Sequence, residues 1–289
     1  LMKSFDKEAV LKQYLKPSSG LLDDISRMNG DILILGAGGK MGPSMAKLAK
    51  AAMNKLQLPK QVFAVSRFSD PEVVNDLNNH GVHTIKADLL NRSELEKLPE
   101  VHNIIYLVGH KFGTTGNESY TWAMNTFLPG MVAERFKSSR IVVFSSGNIY
   151  PFTPVSRGGA TENTPPSPVG EYAQSCLGRE RIFEYFSKKN DTPMLIFRLN
   201  YANNVSYGVL MEIAKSVYNQ KTVDLTMGNV NVIWQGDANE IAIRSLLHCS
   251  TPPAILNVTG PETISVRWIA EEFGKLFNKT PLFASEEAP

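Results

Sequence analysis

The sequence predicts an α/β protein, a doubly wound parallel sheet followed by a smaller C-terminal α/β lobe. Three observations carry that prediction. Short apolar, β-rich runs alternate with longer amphipathic segments between residues 31 and 200. The runs are apolar on nearly every residue, as strands covered on both faces are. The first run leads into a glycine-rich turn, "GAGGKMG", that opens the first long helix of the alternating region. Right-handed crossovers between such strands wind helices onto both faces of one sheet, the Rossmann-type arrangement. With 289 residues, 43% hydrophobic and 20% charged, the chain is large enough for one substantial core and a second, smaller one.

The elements follow in order. Residues 1–30 read as one amphipathic helix and a turn, "KPSSG", an N-terminal extension ahead of the alternating pattern. Residues 31–202 form the larger, Rossmann-type domain. Its strands are "DILIL", "VFAVS", "VHTIKA", "NIIYLVG", "RIVVFSS" and "PMLIFRLN". Between them lie helices over 41–55, "PEVVNDLNNH", "NRSELEKL", 120–136 and 171–188. Residues 203–289 form the smaller C-terminal lobe, with helices near 207–219, 237–248 and 264–277. The Pro-, Gly- and Ser-rich loop 151–170 joins that lobe. Long loops at the C-terminal ends of parallel strands are where ligands bind.

Composition excludes several classes. A net charge of +2 without a basic or acidic block gives no footprint for nucleic acid or an acidic membrane. Two distant cysteines, Cys176 and Cys249, make no disulfide framework, and no Cys or His cluster has metal-ligand spacing. The N-terminal residues lack the apolar region of a secretory signal, and no apolar run approaches the ~18 residues that span a bilayer. A reducing, cytoplasmic location is expected.

Gly36, Gly38, Gly39 and Gly42, with Lys40 and Met41 between them, sit where a strand turns into a helix. In that context glycines let backbone N–H groups approach a pyrophosphate at a helix N-terminus. The second strand ends in Ser66 and Arg67, where a carboxylate would bond a ribose 2′-hydroxyl. Arginine there suits a 2′-phosphate, with Lys40 adding charge, so NADP(H) is expected in preference to NAD(H), which stays possible. Asp88, beside Leu89 at the third strand's end, is placed either to meet the adenine or to cap the following helix.

These features together resemble the extended short-chain dehydrogenase/reductases, most closely the NAD(P)-dependent epimerase/dehydratase branch. Gly36, Gly39 and Gly42 match its GxxGxxG, and "VVFSSGNIYP" matches its strand-end SSxxxY signature. "ATENTPPSP", "IWQGDANEIAIRSLL" and "NVTGPETISVRWIAEEFGKLF" match in order, from about residue 30 to 280. The resemblance implies Ser146 as the catalytic Ser/Thr, Lys111 and Asn125 near the cofactor, and Tyr172 as the acid–base group. The family's YxxSKxxxE reads here Tyr172-Ala-Gln-Ser175-Cys176-Leu-Gly-Arg179-Glu180, with Cys176 in the lysine's place. Tyr185 and Lys189 also form a literal YxxxK, but Tyr172 follows Ser146 at the family's spacing and Tyr185 falls much further on. A second register would put Val169 and Ala173 at the tyrosine and lysine, losing the serine and glutamate matches.

The lysine would supply a charge that favours a phenolate, which an unperturbed tyrosine, with pKa near 10, scarcely forms at neutral pH. Arg179, two turns after Tyr172, or Lys111 can supply it instead, and Cys176 can itself be a thiolate or an inert core residue. Asn148 and Asn200 are candidate substrate contacts, Asn200 alternatively bonding backbone. Two functions stay open. One is an NADP(H)-dependent oxidoreductase or epimerase acting on a sugar, nucleotide sugar or other polyhydroxylated carbonyl compound through Tyr172 and Ser146. The other is an impaired NAD(P)-binding sensor or regulatory protein. A homodimer is expected through the helices near 120–136 and 172–188, with Phe183 and Phe186 at its surface.

Overall fold

The structure is a computed structural model that describes residues 7–13, 15–111 and 113–284. Residues 1–6 of the expected extension and 285–289 of the expected lobe lie outside the described residues. Where one N-terminal helix was expected there are two, α1 (Lys7–Gln13) and α2 (Ser19–Arg27). The Ser18 hydroxyl starts the second by accepting from the Leu21 amide, so "KPSSG" holds a helix start as well as a turn. Leu21 and Ile25 on α2 are fully buried.

The alternating pattern then unfolds as read: β1 (Ile32–Leu35), α3 (Gly42–Lys55), β2 (Val62–Ser66), α4 (Pro71–Asn79), β3 (His83–Lys86), α5 (Arg92–Glu96) and β4 (Asn103–Tyr106). The expected helix over 120–136 is broken into α6 (Glu118–Trp122), one π turn over Ala123–Phe127, and α7 (Leu128–Arg135). Next come β5 (Arg140–Ser146), α8 (Gly170–Asn190), β6 (Met194–Leu199), β7 (Ala202–Asn203), α9 (Val209–Tyr218) and β8 (Thr222–Val223). The chain ends with β9 (Asn229–Val230), β10 (Ile233–Trp234), α10 (Gln235–Arg244), β11 (Ala254–Val258), β12 (Ile264–Ser265), α11 (Val266–Phe277) and β13 (Leu282–Phe283).

One seven-strand parallel sheet, in the order β11-β6-β5-β4-β1-β2-β3, is the framework. β1 lies between β2 and β4, with Leu35 opposite both Val65 and Tyr106. The strand order therefore reverses at β1, the topological switch point beside which doubly wound sheets bind ligands. Every residue of β1 and β4 is buried; their apolar runs account for this except at Asn103, whose side-chain amide donates to the Asn29 and Asp31 carbonyls. Leu33, Leu35, Ile104 and Tyr106 pack with Val132, Phe136 and Phe183 into one core.

The chain divides into two compact units. The larger takes residues 1–151, 165–198 and 239–256. The smaller takes 152–164, 199–238 and 257–289, with its own core of Ile213, Val217, Leu225, Val230, Val266 and Ile269. Assigning all of 203–289 to the lobe is thus corrected for 239–256. Residues 239–244 of α10, and the first residues of β11, return to the larger unit because β11 extends its sheet beyond β6.

Candidate functional site

The glycine turn is built by close approach. Gly36 has φ +86°, and a Cβ on it would lie 2.9 Å from the Val108 backbone nitrogen. A Cβ on Gly42 would lie 2.3 Å from the Ala37 carbonyl oxygen, so side chains are excluded where the turn enters α3. Met41 is the N-cap of α3 and makes no side-chain capping bond, and Pro43 follows inside the first turn. Above the turn lies a cleft of about 410 Å³. Gly36, Gly38, Gly39, Ser66, Arg67, Asp88 and Leu89 line it, as do Phe68, Leu107, Val108, Gly109 and Met124. A glycine cradle, a helix N-terminus and a cleft across the switch point together fit a dinucleotide.

The polar groups around the cleft are already partly committed. Arg67 Nη1 donates to the Tyr120 hydroxyl at 3.3 Å. The Asp70 carboxylate caps α4 by accepting from the Glu72 amide at 2.9 Å. Asp88 does not cap α5: Asn91 does, accepting from the Ser93 amide at 3.1 Å. Asp88 instead closes a short turn by accepting from the Leu90 amide, and its own amide donates to Glu94. The capping alternative for Asp88 is therefore corrected by one turn of chain.

Tyr172, on the first turn of α8, lies near enough to Ser146, at the end of β5, and to Cys176 for both to act on its hydroxyl. Burial pushes the Tyr172 hydroxyl up from the usual tyrosine value and Cys176 pushes it the same way. Arg179 and Ser146 pull it down without overturning burial, so the hydroxyl holds its proton at neutral pH. Ser146 also accepts from the Asn148 amide at 3.1 Å, which fixes its side chain at the start of a short 3-10 turn. Cys176 is a fully buried free thiol.

Two buried networks hold this cluster in place. Asn125, on the π turn, is completely buried. Its Oδ1 accepts from the His110 amide at 2.8 Å and from Arg179 Nη2 at 2.7 Å. Its Nδ2 donates to the His110 carbonyl at 3.1 Å and to Ser175 Oγ at 2.9 Å. The loop after β4 is thereby tied to the helix that carries Tyr172. Glu180, on the same helix, accepts from Ser145 Oγ at 2.5 Å and from Arg198 Nε and Nη2 at 3.0 and 2.8 Å. Arg198 Nη1 donates in turn to the Tyr150 hydroxyl at 2.7 Å.

The structure thus gathers most of the residues singled out in the sequence. Lys40 and Met41 lie in the glycine turn, and Lys111 is exposed on the loop after β4. Asn200 belongs to the smaller unit, where its amide donates to the Val258 carbonyl at 3.0 Å. Arg179 does not bond Tyr172, since its guanidinium is held by Asn125 and by the Phe144 carbonyl at 2.8 Å. Tyr185 is 57% exposed with Lys189 over its ring, and Val169 is 65% exposed at the N-cap of α8. Glu180, Arg198, Ser145 and Tyr150 were missed as a network, because nothing local marks which strand a helix carboxylate will meet.

Residues 32–248 match the NAD dependent epimerase/dehydratase family. Among curated proteins none matches the sequence. Solved structures similar to the chain include the UDP-glucuronic acid 4-epimerase of Bacillus cereus in complex with UDP-glucuronic acid and NAD. The two share 16% identity, with a TM-score of 0.72 over 89% of this chain and 86% of that one. The UDP-glucose 4-epimerase of Thermus thermophilus, in complex with NAD, is 17% identical with a TM-score of 0.72 over the same shares. MoeE5, in complex with UDP-glucose and NAD, is 18% identical with a TM-score of 0.70 over 90% and 86%. At these identities the likeness is one of fold.

Proposed function

We propose, from the premise that this chain belongs to the NAD dependent epimerase/dehydratase family, that it is an NADP(H)-preferring enzyme acting on a nucleotide sugar or a related polyhydroxylated carbonyl compound. The observation that carries the reading is the placement of Tyr172 near Ser146 at the end of β5, in the same unit as the glycine cleft. A bound nicotinamide supplies the hydride acceptor and donor. Gly36, Gly38 and Gly39 would hold its pyrophosphate against backbone, and Ser66 and Arg67, which line the same cleft, would meet its adenosine ribose. Ser146 orients a substrate hydroxyl or carbonyl. Tyr172, protonated at rest, gives its proton to a carbonyl oxygen or, as phenolate, takes one from a hydroxyl.

Preference for the 2′-phosphate is supported by Arg67 at the cleft and by the commitment of Asp70 to capping α4. Parallel fluorescence titrations with NADPH and NADH test it, and tighter NADH binding overturns it. Incubation with UDP-glucose and UDP-glucuronic acid, followed by product analysis, tests the substrate class. Tyr172→Phe is expected to lower turnover by about 10²–10⁴. The position of Cys176 supports the second reading, a cofactor-binding protein without turnover, which NADPH binding with no conversion of any sugar nucleotide would favour.

The exposed faces of the π turn and α8 support a homodimer. Phe127 is 63% exposed, and Trp122, Ile182 and Phe186 line a groove of about 620 Å³. Phe183 is withdrawn from that role: it is fully buried, its ring 5.1 Å from that of Tyr106.

A further inference from the structure

Among the described residues of the larger unit, one buried cation has no anion beside it. Arg179 is 5% exposed. Its partners are neutral: the Phe144 carbonyl, Asn125 Oδ1 and the Tyr106 ring, whose centroid lies 5.9 Å away. Its Nε bonds nothing. Glu180, the next residue, is committed to Arg198. Buried charges are ordinarily paired, because desolvation otherwise outweighs what neutral partners return.

The position of this charge suggests its use. A Cβ on Gly109 would lie 2.8 Å from Arg179 Nη2, and Gly109 lines the cleft, so the guanidinium sits directly behind the cleft wall. Along α8 it lies two turns from Tyr172, while the position one turn away, a lysine in the family's helix, holds Cys176. We propose that Arg179 is the cation that balances the Tyr172 phenolate, taking over from two turns along α8 the charge that the lysine would bring from one.

This rests on Tyr172 being the acid–base group. Arg179 favours the ionised tyrosine, while burial and Cys176 oppose it. The other charged groups on elements packed against α8 are committed or exposed. Arg135 pairs with Glu100, Arg140 Nη1 donates to the Leu246 carbonyl, and Glu118 and Glu134 are exposed. Ser146, from the end of β5, is uncharged. Arg179 acts through Tyr172 and is a positioning residue. Its bonds to Phe144 and Asn125 give it a structural task as well, which the experiment has to separate from the charge.

The test replaces Tyr172 by a difluorinated tyrosine, whose lower intrinsic pKa brings ionisation into the range where proteins stay folded. The phenolate absorbance is followed against pH in cofactor-free protein, so the result does not depend on finding a substrate. Arg179→Gln, which keeps an amide for Asn125, is expected to raise the midpoint by about 1 unit or more. Arg179→Lys, which keeps the charge, leaves it near the parent value. Adding Cys176→Lys to Arg179→Gln returns the midpoint toward the parent, and it decides the matter if the single variant fails to melt cooperatively. An unmoved midpoint in folded Arg179→Gln, or no recovery in the double variant, overturns the proposal. The alkaline limb of turnover is expected to move the same way once a substrate is in hand.

Discussion

Replacing Arg198 by methionine removes one half of a dry ion pair and leaves the other half in place. Glu180 and Arg198 have side chains 4% and 3% exposed, and the guanidinium meets both carboxylate oxygens. After Arg198→Met, Glu180 keeps only the Ser145 hydroxyl, and the Tyr150 hydroxyl loses the Arg198 bond. Breaking a buried pair from one side costs about 3–5 kcal/mol, mostly from the charge left behind. For a unit of this size that corresponds to a fall in melting temperature of about 6–20 °C. Combining Arg198→Met with Glu180→Leu removes both charges, and most of the loss should be recovered, because well-packed apolar groups replace such pairs at little cost. Thermal melts followed by circular dichroism on the two single variants and the double give the cycle. A loss below about 1 kcal/mol in Arg198→Met would show that the pair is not dry. A double variant as unstable as the sum of the singles would show that the two side chains are not coupled, and either result refutes the account of how β6 is locked to α8.

Other outcomes follow from the same geometry. Gly42→Ala drives a Cβ into the Ala37 backbone, and NADPH binding should weaken at least tenfold, about 1.4 kcal/mol, in the fluorescence titration. Phe127→Lys places a charge on the exposed face of the π turn, and sedimentation should show the parent as a dimer and the variant as a monomer. Burial pushes the Cys249 thiol from its ordinary 9.0 up to about 12. The unfolded chain therefore releases this proton first, and the stability it contributes is complete below pH 9.0 and is lost as pH rises toward about 12. Denaturation across that alkaline range should show a shallower decline for Cys249→Ala than for the parent.

The sheet and its glycine turn were legible because both are local. A run such as "ILIL" declares two-sided burial by itself, and a turn that admits no Cβ at Gly42 declares itself by glycine. The nearness of Ser146 to Tyr172 could be expected only through the spacing of a family pattern, since the two lie on different elements. What stayed hidden was long-range. Residues 239–256 return to the larger unit because β11 finds an edge beside β6, and no local signal names that edge. Arg179 read as a helix-face arginine aimed at Tyr172, but its partners are a strand carbonyl and an asparagine of another helix. Phe183 and Phe186 looked alike in the sequence, yet α8 turns the first into the core and the second to the groove.

The π turn at Ala123–Phe127 gives its helix two phases. A residue added to a turn rotates everything beyond it by about 100° relative to an unbroken α-helix. Ahead of the turn, Thr121 faces the His110 ring, and beyond it Leu128 and Val132 face the core. Trimming one residue to make the helix regular would force a choice: keep the buried stripe in phase and swing Asn125 away from His110 and Arg179, or keep Asn125 and turn the stripe toward water. The irregularity is therefore a fixed offset between scaffold and chemistry, and a shortened variant should be readable by which of the two it gives up.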